Sequence, residues 1–417
     1  MGASAPANAA WWQRDTTPGF LLIGAAIVSF VLSNSAIADS WKTFLAVPLK
    51  AEVFGYAYDS YVKGFVKDGL MALFFFYVGL ELKRECIEGP FRNPREAALP
   101  ALGAVGGMAA PALIYLLIAT HLHPQASADY MRGWAIPCAT DIAFAVGVLS
   151  LLGSRVPLGL RLFLLALAIA DDLGAILVIA IFYSEAPNIM ALTVCAGLLI
   201  GGLALNRLGV KQLWPYFMLF AAMWLAFAKS GVSPTLAGVL AALTIPMTAP
   251  NGRKPLVDVE HALKPYVQLG VMPLFAVVMA GVPLAGLGLE TLLHPVTLGI
   301  ALGLVVGKPL GIVTLAWLGS KVLRQPLPSR LTSLLGAAFV AGIGFTMSLF
   351  VGALAFYGDA AMEAPIRIGV LGGSVIAAIF GLLILHLSLP KHRQAPSDAA
   401  LAAQESIAVD EGLLDKR

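Results

Sequence analysis

The segment LFLLALAIADDLGAILVIAIF, residues 162–182, narrows what this chain is able to fold into. A helix crossing the hydrocarbon core of a bilayer needs about 20 residues. This run has 21, and 19 of them are uncharged. Runs of the same kind recur along the sequence, and only 12% of the 417 residues are charged, against about 25% in a soluble domain. Hydrophobic residues make up 59%, and the mean hydropathy is +0.84. The expected fold is an all-α polytopic membrane protein of about 12 transmembrane helices. The expected spans are 19–37, 69–88, 97–120, 133–152, 158–182, 189–205, 213–229, 232–248, 265–285, 296–319, 331–357 and 366–388. They make one transmembrane domain over 19–389, flanked by an N-terminal segment 1–18 and a polar, Ala-rich tail 390–417. The N-terminus lacks the basic start and small-residue cleavage site of a signal peptide, so the first run is expected to remain as a helix.

Orientation follows from Lys and Arg in the short loops. The loop after the second span carries Lys83, Arg84, Arg92 and Arg95. Later even-numbered loops carry Arg155, then Arg207 with Lys211, then Arg253, Lys254 and Lys264, then Lys321, Arg324 and Arg330. The short odd-numbered loops are nearly bare of basic residues. Even loops and both termini are therefore expected in the cytoplasm. The long first loop breaks the pattern with Lys42, Lys50, Lys63 and Lys67. It also contains VFGYAYDS, in which Phe54, Tyr56 and Tyr58 alternate as on one face of a strand. A small external β-hairpin, with its turn at Asp59–Ser60, and an aromatic loop at the membrane interface are both open readings.

Composition also excludes. A net charge of +3 is too small for a nucleic-acid binder. Cys86, Cys138 and Cys195 show no CxxC spacing and read as inert packing. His121 and His123 form the one close histidine pair, and no Cys/His pattern suggests zinc or another resident cofactor.

Four charges lie inside expected spans: Asp141, Asp171, Asp172 and Lys308. Each costs about 2.5–3.5 kcal/mol at a helix centre, so they need partners and a reason. A structural ion-pair cluster is the plain reading. Against it, three acids face one base. Adjacent helical residues also point about 100° apart, so Asp171 and Asp172 cannot share one partner well. One acid is free to pair with Lys308 while the other lines a wet cavity. Such an acid attracts a cation or a proton, and small hard cations prefer carboxylate, hydroxyl, carbonyl and water oxygens. Thr140 offers a hydroxyl beside Asp141. Pro137 in the fourth span and Gly336, Gly342 and Gly344, ahead of Thr346 and Ser348, in the eleventh make both spans breakable. Paired broken helices point to a transporter site. A second constellation, Glu81, Arg84 and Glu85 with Glu260, His261 and Lys264, is either an ordinary rim of charge or a cluster that titrates near neutrality.

The motifs ATDIAFA, ALAIADDLGAI, GLVVGKPLGI, GIGFTMSLF and FFFYVGLELKRE closely resemble the bacterial NhaA-type Na+/H+ antiporter family, in order, from about residue 14 to 390. The resemblance implies inverted repeats of three helices each, with the fourth and eleventh helices interrupted and crossing at midplane. Inverted repeats of this kind are shared by several transporter families, this one included. The resemblance makes Asp172 the main Na+ and proton ligand, Asp171 its partner carboxylate paired with Lys308, and Thr140 an assistant. It makes Asp141 and Lys308 the charges that offset half-helix ends. It assigns Glu81, Arg84, Glu85, Glu260 and His261 to pH response. It further implies electrogenic Na+ (or Li+) exchange for protons in the inner membrane, a role in sodium and pH homeostasis, and a homodimer joined by the hairpin. Two positions depart from the family pattern. Lys264 stands where a second histidine is frequent, and Lys67 precedes Asp68 where a neutral residue is common.

Other classes fit less well. An intramembrane aspartyl protease needs Gly-x-Gly-Asp, and AGLGLE here lacks the acid. A cation channel is opposed by a lysine inside a span. A related-fold sodium-coupled solute symporter is the strongest alternative, and an enzyme is not expected.

Overall fold

The computed structural model describes residues 16–53, 56–122, 127–184, 188–248, 252–284 and 287–390. Helix dominates, as it must where a backbone has no water to bond. The principal helices are α1 (Thr17–Asn34), α2 (Met71–Ile87), α3 (Pro94–Leu122), α4 (Ile142–Ser150), α5 (Leu158–Phe182), α6 (Ile189–Arg207), α7 (Trp214–Ala228), α8 (Leu236–Thr244), α9 (Pro255–Tyr266), α10 (Met272–Met279), α11 (Pro295–Leu302), α12 (Lys308–Leu323), α13 (Leu331–Ala341), α14 (Phe345–Ala355) and α15 (Ala360–Ser388). Wider π turns at Val267–Val271 and Gly303–Gly307 join α9 to α10 and α11 to α12, and another at Val66–Leu70 leads into α2.

Among the described residues, seven helices are long and apolar enough to cross a membrane, and two bent pairs raise the count to nine. The remaining three expected spans carry α2, α7 and α8, which are shorter. The sequence explains one of these ends. Pro246 forces Ile245 into extended geometry and stops α8. The helices leave Phe20, Ile27, Val31, Ile200, Ile379 and Leu383 exposed, an arrangement suited to lipid rather than water.

A pattern of long helix, bent pair and long helix occurs twice. α3 is followed by the pair Ala128–Cys138 and Ile142–Ser150, bent by 43°, and then by α5. The joined α11–α12 is followed by α13 and α14, bent by 48°, and then by α15. α3 and α12 meet through bare backbone. A Cβ on Gly311 would lie 1.9 Å from the Gly106 carbonyl oxygen, and one on Gly106 would lie 2.1 Å from that of Gly311. Only glycine permits this approach, which carries Lys308 into the interior.

The hairpin is present, with a corrected turn. Strand β1 (Pro48–Val53) pairs antiparallel with β2 (Tyr56–Tyr61), with Val53 opposite Tyr56 and Pro48 opposite Tyr61. Asp59 and Ser60 are not the reversal. They sit within β2, opposite Lys50 and Leu49, where Asp59 finds a cross-strand partner in Lys50 at 3.5 Å. The register leaves residues 54 and 55 between the strands, and Phe54 lies outside the described residues, as do the segment 1–15, His123 and the tail beyond 390.

Candidate functional site

Both helix breaks fall where proline and glycine interrupt an apolar run. The first comprises Ala139, Thr140 and Asp141, and the second Gly342, Ile343 and Gly344. They touch. The Asp141 backbone N–H donates to the Ile343 carbonyl at 2.8 Å. A broken helix exposes unpaired N–H groups with partial positive charge on one side and unpaired carbonyls on the other.

Asp141 answers the positive ends of both breaks. Its Oδ1 accepts from the Phe144 N–H at 3.0 Å, capping α4. Its Oδ2 accepts from the Thr346 N–H at 3.2 Å and from the Thr346 hydroxyl at 2.5 Å, capping α14. The Asp141 carboxylate is thereby committed to the half-helices. On the negative side, Lys308 Nζ donates to the Cys138 carbonyl, and the Thr140 hydroxyl lies 2.9 Å from the Ala341 carbonyl oxygen.

Lys308 also donates to Asp171 Oδ2 at 2.7 Å, and Thr140 Oγ1 lies 2.6 Å from that same oxygen. All of these groups are buried, Lys308 and Thr140 completely. Asp171 Oδ1 and Asp172 Oδ1 are both buried without a hydrogen-bond partner among the described residues. The two acids differ in that Asp171 is held through Oδ2 by Lys308 and Thr140, whereas Asp172 has no ion-pair partner among the described residues. Among the described residues, the charges that act most strongly on Asp172 are the carboxylates of Asp171, Glu81 and Asp141 and the ammonium of Lys308. A buried, unsatisfied carboxylate in a field with excess negative charge is a seat for a cation or a proton.

The family profile described as Na+/H+ antiporter 1 matches residues 9–385. The chain belongs to the Na+/H+ antiporter 1 family. A Pseudomonas putida protein named Na+/H+ antiporter NhaA is 46% identical over 387 residues, covering 92% of this chain and 98% of the relative. A Rhodospirillum rubrum protein of the same name is 45% identical over 387 residues, covering 90% and 96%. One from Aeromonas salmonicida is 43% identical over 392 residues, covering 93% and 98%. The relatives are thus antiporters by name rather than enzymes.

This member of the Na+/H+ antiporter 1 family carries its second cluster where α2 ends and α9 begins. Arg84 binds Glu85 through its guanidinium at 2.7 Å and Glu260 through Nε at 2.7 Å. Glu85 and Glu260 are buried. Glu81 is half-buried and acts electrostatically on Glu260, Arg84, Lys264 and Asp172. It therefore belongs to the field of the central site as well as to the rim. His261 is not brought in. It follows the inward-facing Glu260 on a helix, so it points away, and it is exposed.

Sequence reasoning missed two partners in the cluster at the helix breaks. The Ser374 hydroxyl of α15 accepts from the Gly344 N–H at 3.2 Å and the Phe345 N–H at 3.1 Å. The backbone of Cys138, read only as a packing residue, supplies a carbonyl to Lys308. A serine in an apolar run was the sole sequence signal for the first, and a backbone acceptor leaves none.

Proposed function

We infer that this chain is an electrogenic antiporter that exchanges Na+ (or Li+) for protons across the bacterial inner membrane, regulated by pH and serving sodium and pH homeostasis. The observation that carries the reading is Asp172. It is a buried carboxylate with an unsatisfied oxygen, next to an acid already paired with lysine, in a chain of the Na+/H+ antiporter 1 family. Asp172 binds either Na+ or a proton, and that competition couples the two fluxes. Thr140, within reach of Asp171, adds a hydroxyl oxygen to the cation's ligands. No resident cofactor enters this scheme.

The repeated order of long helix, bent pair and long helix supports two inverted three-helix repeats, and helix in all the expected stretches supports twelve spans. The basic loops support cytoplasmic termini and an external hairpin. The hairpin, with Pro48, Lys50, Asp59 and Tyr61 exposed, offers a surface through which two copies would pair. The buried Arg84–Glu85–Glu260 network with Glu81 supports a pH-responsive device at the cytoplasmic end. His261, being exposed, has the smaller part in it.

The test is Na+-driven collapse of an acid-inside gradient in proteoliposomes. The wild-type chain dissipates the gradient, and well-folded Asp172→Asn protein does not, because an amide coordinates weakly and cannot exchange a proton. Robust exchange by Asp172→Asn would sink the assignment. The same assay run across a pH series tests regulation, and a rate indifferent to pH would remove it.

A further inference from the structure

At the hairpin end of the molecule a cavity of about 610 Å3 opens between the end of α1, the turn leading into α2, the segment after α10, and the α14–α15 connection. Leu349 and Gly352 of α14 line it. Leu349 is about one helical turn from Thr346, which bonds Asp141. On the orientation argued above, this is the external face, and the exported cation leaves toward it.

Three carboxylates line this cavity: Asp68, Asp359 and Glu363. Each is already engaged. Glu363 is clamped by Lys63 at 2.5 Å and Arg367 at 2.6 Å. Asp359 accepts from the Ala361 N–H at 3.0 Å as the cap of α15. Asp68 has Lys67 Nζ at 3.5 Å from its Oδ1. Lys67 is an unusual partner, being 7% exposed in the cavity wall. Its ammonium lies 4.3 Å from the centroid of the Tyr357 ring, a cation–π contact that fixes it in place. The π turn Val66–Leu70 holds both residues, and the Trp224 indole N–H donates to the Asp68 carbonyl at 3.1 Å. π turns of this kind concentrate at functional sites.

A free carboxylate on the exit side would hold the departing cation and draw it back. We propose that Lys67 is a tethered counter-ion that keeps Asp68 from capturing Na+ in the external vestibule, and so sets the external half-saturation for exchange. It is a positioning residue, because it acts through Asp68. The inference rests on the antiporter reading. That reading fails if the wild-type chain shows no exchange, whereas this inference is judged on the sidedness of variants in a chain that does exchange.

The experiment measures half-saturating Na+ at each face of the full chain, using everted vesicles for the cytoplasmic face and right-side-out vesicles for the external one. Unmasking one charge at this range corresponds to about a three- to tenfold fall in external half-saturation for Lys67→Gln, with the cytoplasmic value unchanged. Lys67→Arg keeps the wild-type value, and adding Asp68→Asn to Lys67→Gln returns it there. Lys67→Met, which preserves the stem against Tyr357, carries the same test if Lys67→Gln does not accumulate. An unchanged external value, an equal shift at both faces, or a fall that Asp68→Asn does not reverse would overturn the proposal.

Discussion

Asp141 and Asp172 are both buried aspartates close to the helix breaks, yet their surroundings give them opposite tasks. Asp141 receives two backbone N–H groups and a hydroxyl, so its charge is spent on structure. Asp172 Oδ1 receives nothing among the described residues, and on the function proposed above its charge is left for cargo. Stability and transport should therefore separate between them. Asp141→Ala strands two backbone N–H groups and a hydroxyl, at about 1–3 kcal/mol for each buried donor, and should lower the thermal unfolding midpoint in detergent markedly. Asp172→Asn should leave that midpoint at or above wild type, since it removes an unpaired buried acid, while abolishing exchange. Equal melting losses in the two variants would contradict this division. The types of these residues and their placement inside apolar runs were legible in the sequence. Their roles came only through the family resemblance, because the hydroxyl that engages Asp141 lies at Thr346, and no local pattern reports a partner so distant.

Elements were legible where chemistry is local. Apolar length marked the seven long helices, and proline or glycine marked the breaks in the two bent pairs. Where the deciding contact is between elements, the sequence was weaker. The hairpin's reversal was misplaced because Asp59–Ser60 carries turn-forming residues, and only the cross-strand Lys50 shows that the strand continues. Glycine is the clearest case. The described glycines include Gly311 against the Gly106 carbonyl and Gly201 with nothing within 4 Å of a built Cβ. Sequence makes them look alike, since both lie in glycine-containing membrane helices. Their substitutions should not behave alike. Gly311→Ala forces backbone from backbone between α3 and α12, costs about 1–3 kcal/mol or more, and displaces Lys308 from Asp171, so unfolding temperature and exchange both fall. Gly201→Ala on α6 should melt and transport as wild type. Melting curves and exchange rates of the two proteins decide it, and indifference of the molecule to Gly311→Ala would mean that α3 and α12 do not need this approach.

Charge balance is a property of the whole molecule, and on the proposed function it would give the adjacent carboxylates a purpose. With Na+ on Asp172 and Asp171 paired to Lys308 at 2.7 Å, the site is formally neutral. If the return form carries protons on both Asp172 and Asp171, Lys308 is left as an unpaired cation, and that form carries one more positive charge. Exchange then moves two protons for each Na+, and the membrane potential drives it at about 2.3 kcal/mol per charge per 100 mV. The burial of the pair makes this economical, because a lysine that loses its carboxylate partner in the interior still donates to the Cys138 carbonyl. In Lys308→Gln, Asp171 has no cation and remains protonated throughout the cycle, since an unpaired buried carboxylate is far costlier than a neutral acid. The variant should exchange one proton per Na+, more slowly, with no response to potential. The measurement is Na+ flux in proteoliposomes with and without a K+–valinomycin potential. Flux through wild-type protein should rise with an inside-directed driving potential, and flux through Lys308→Gln should not. A Lys308→Gln protein that responds to potential as the wild type does would remove the lysine from charge coupling and leave the ion seat at Asp172 standing.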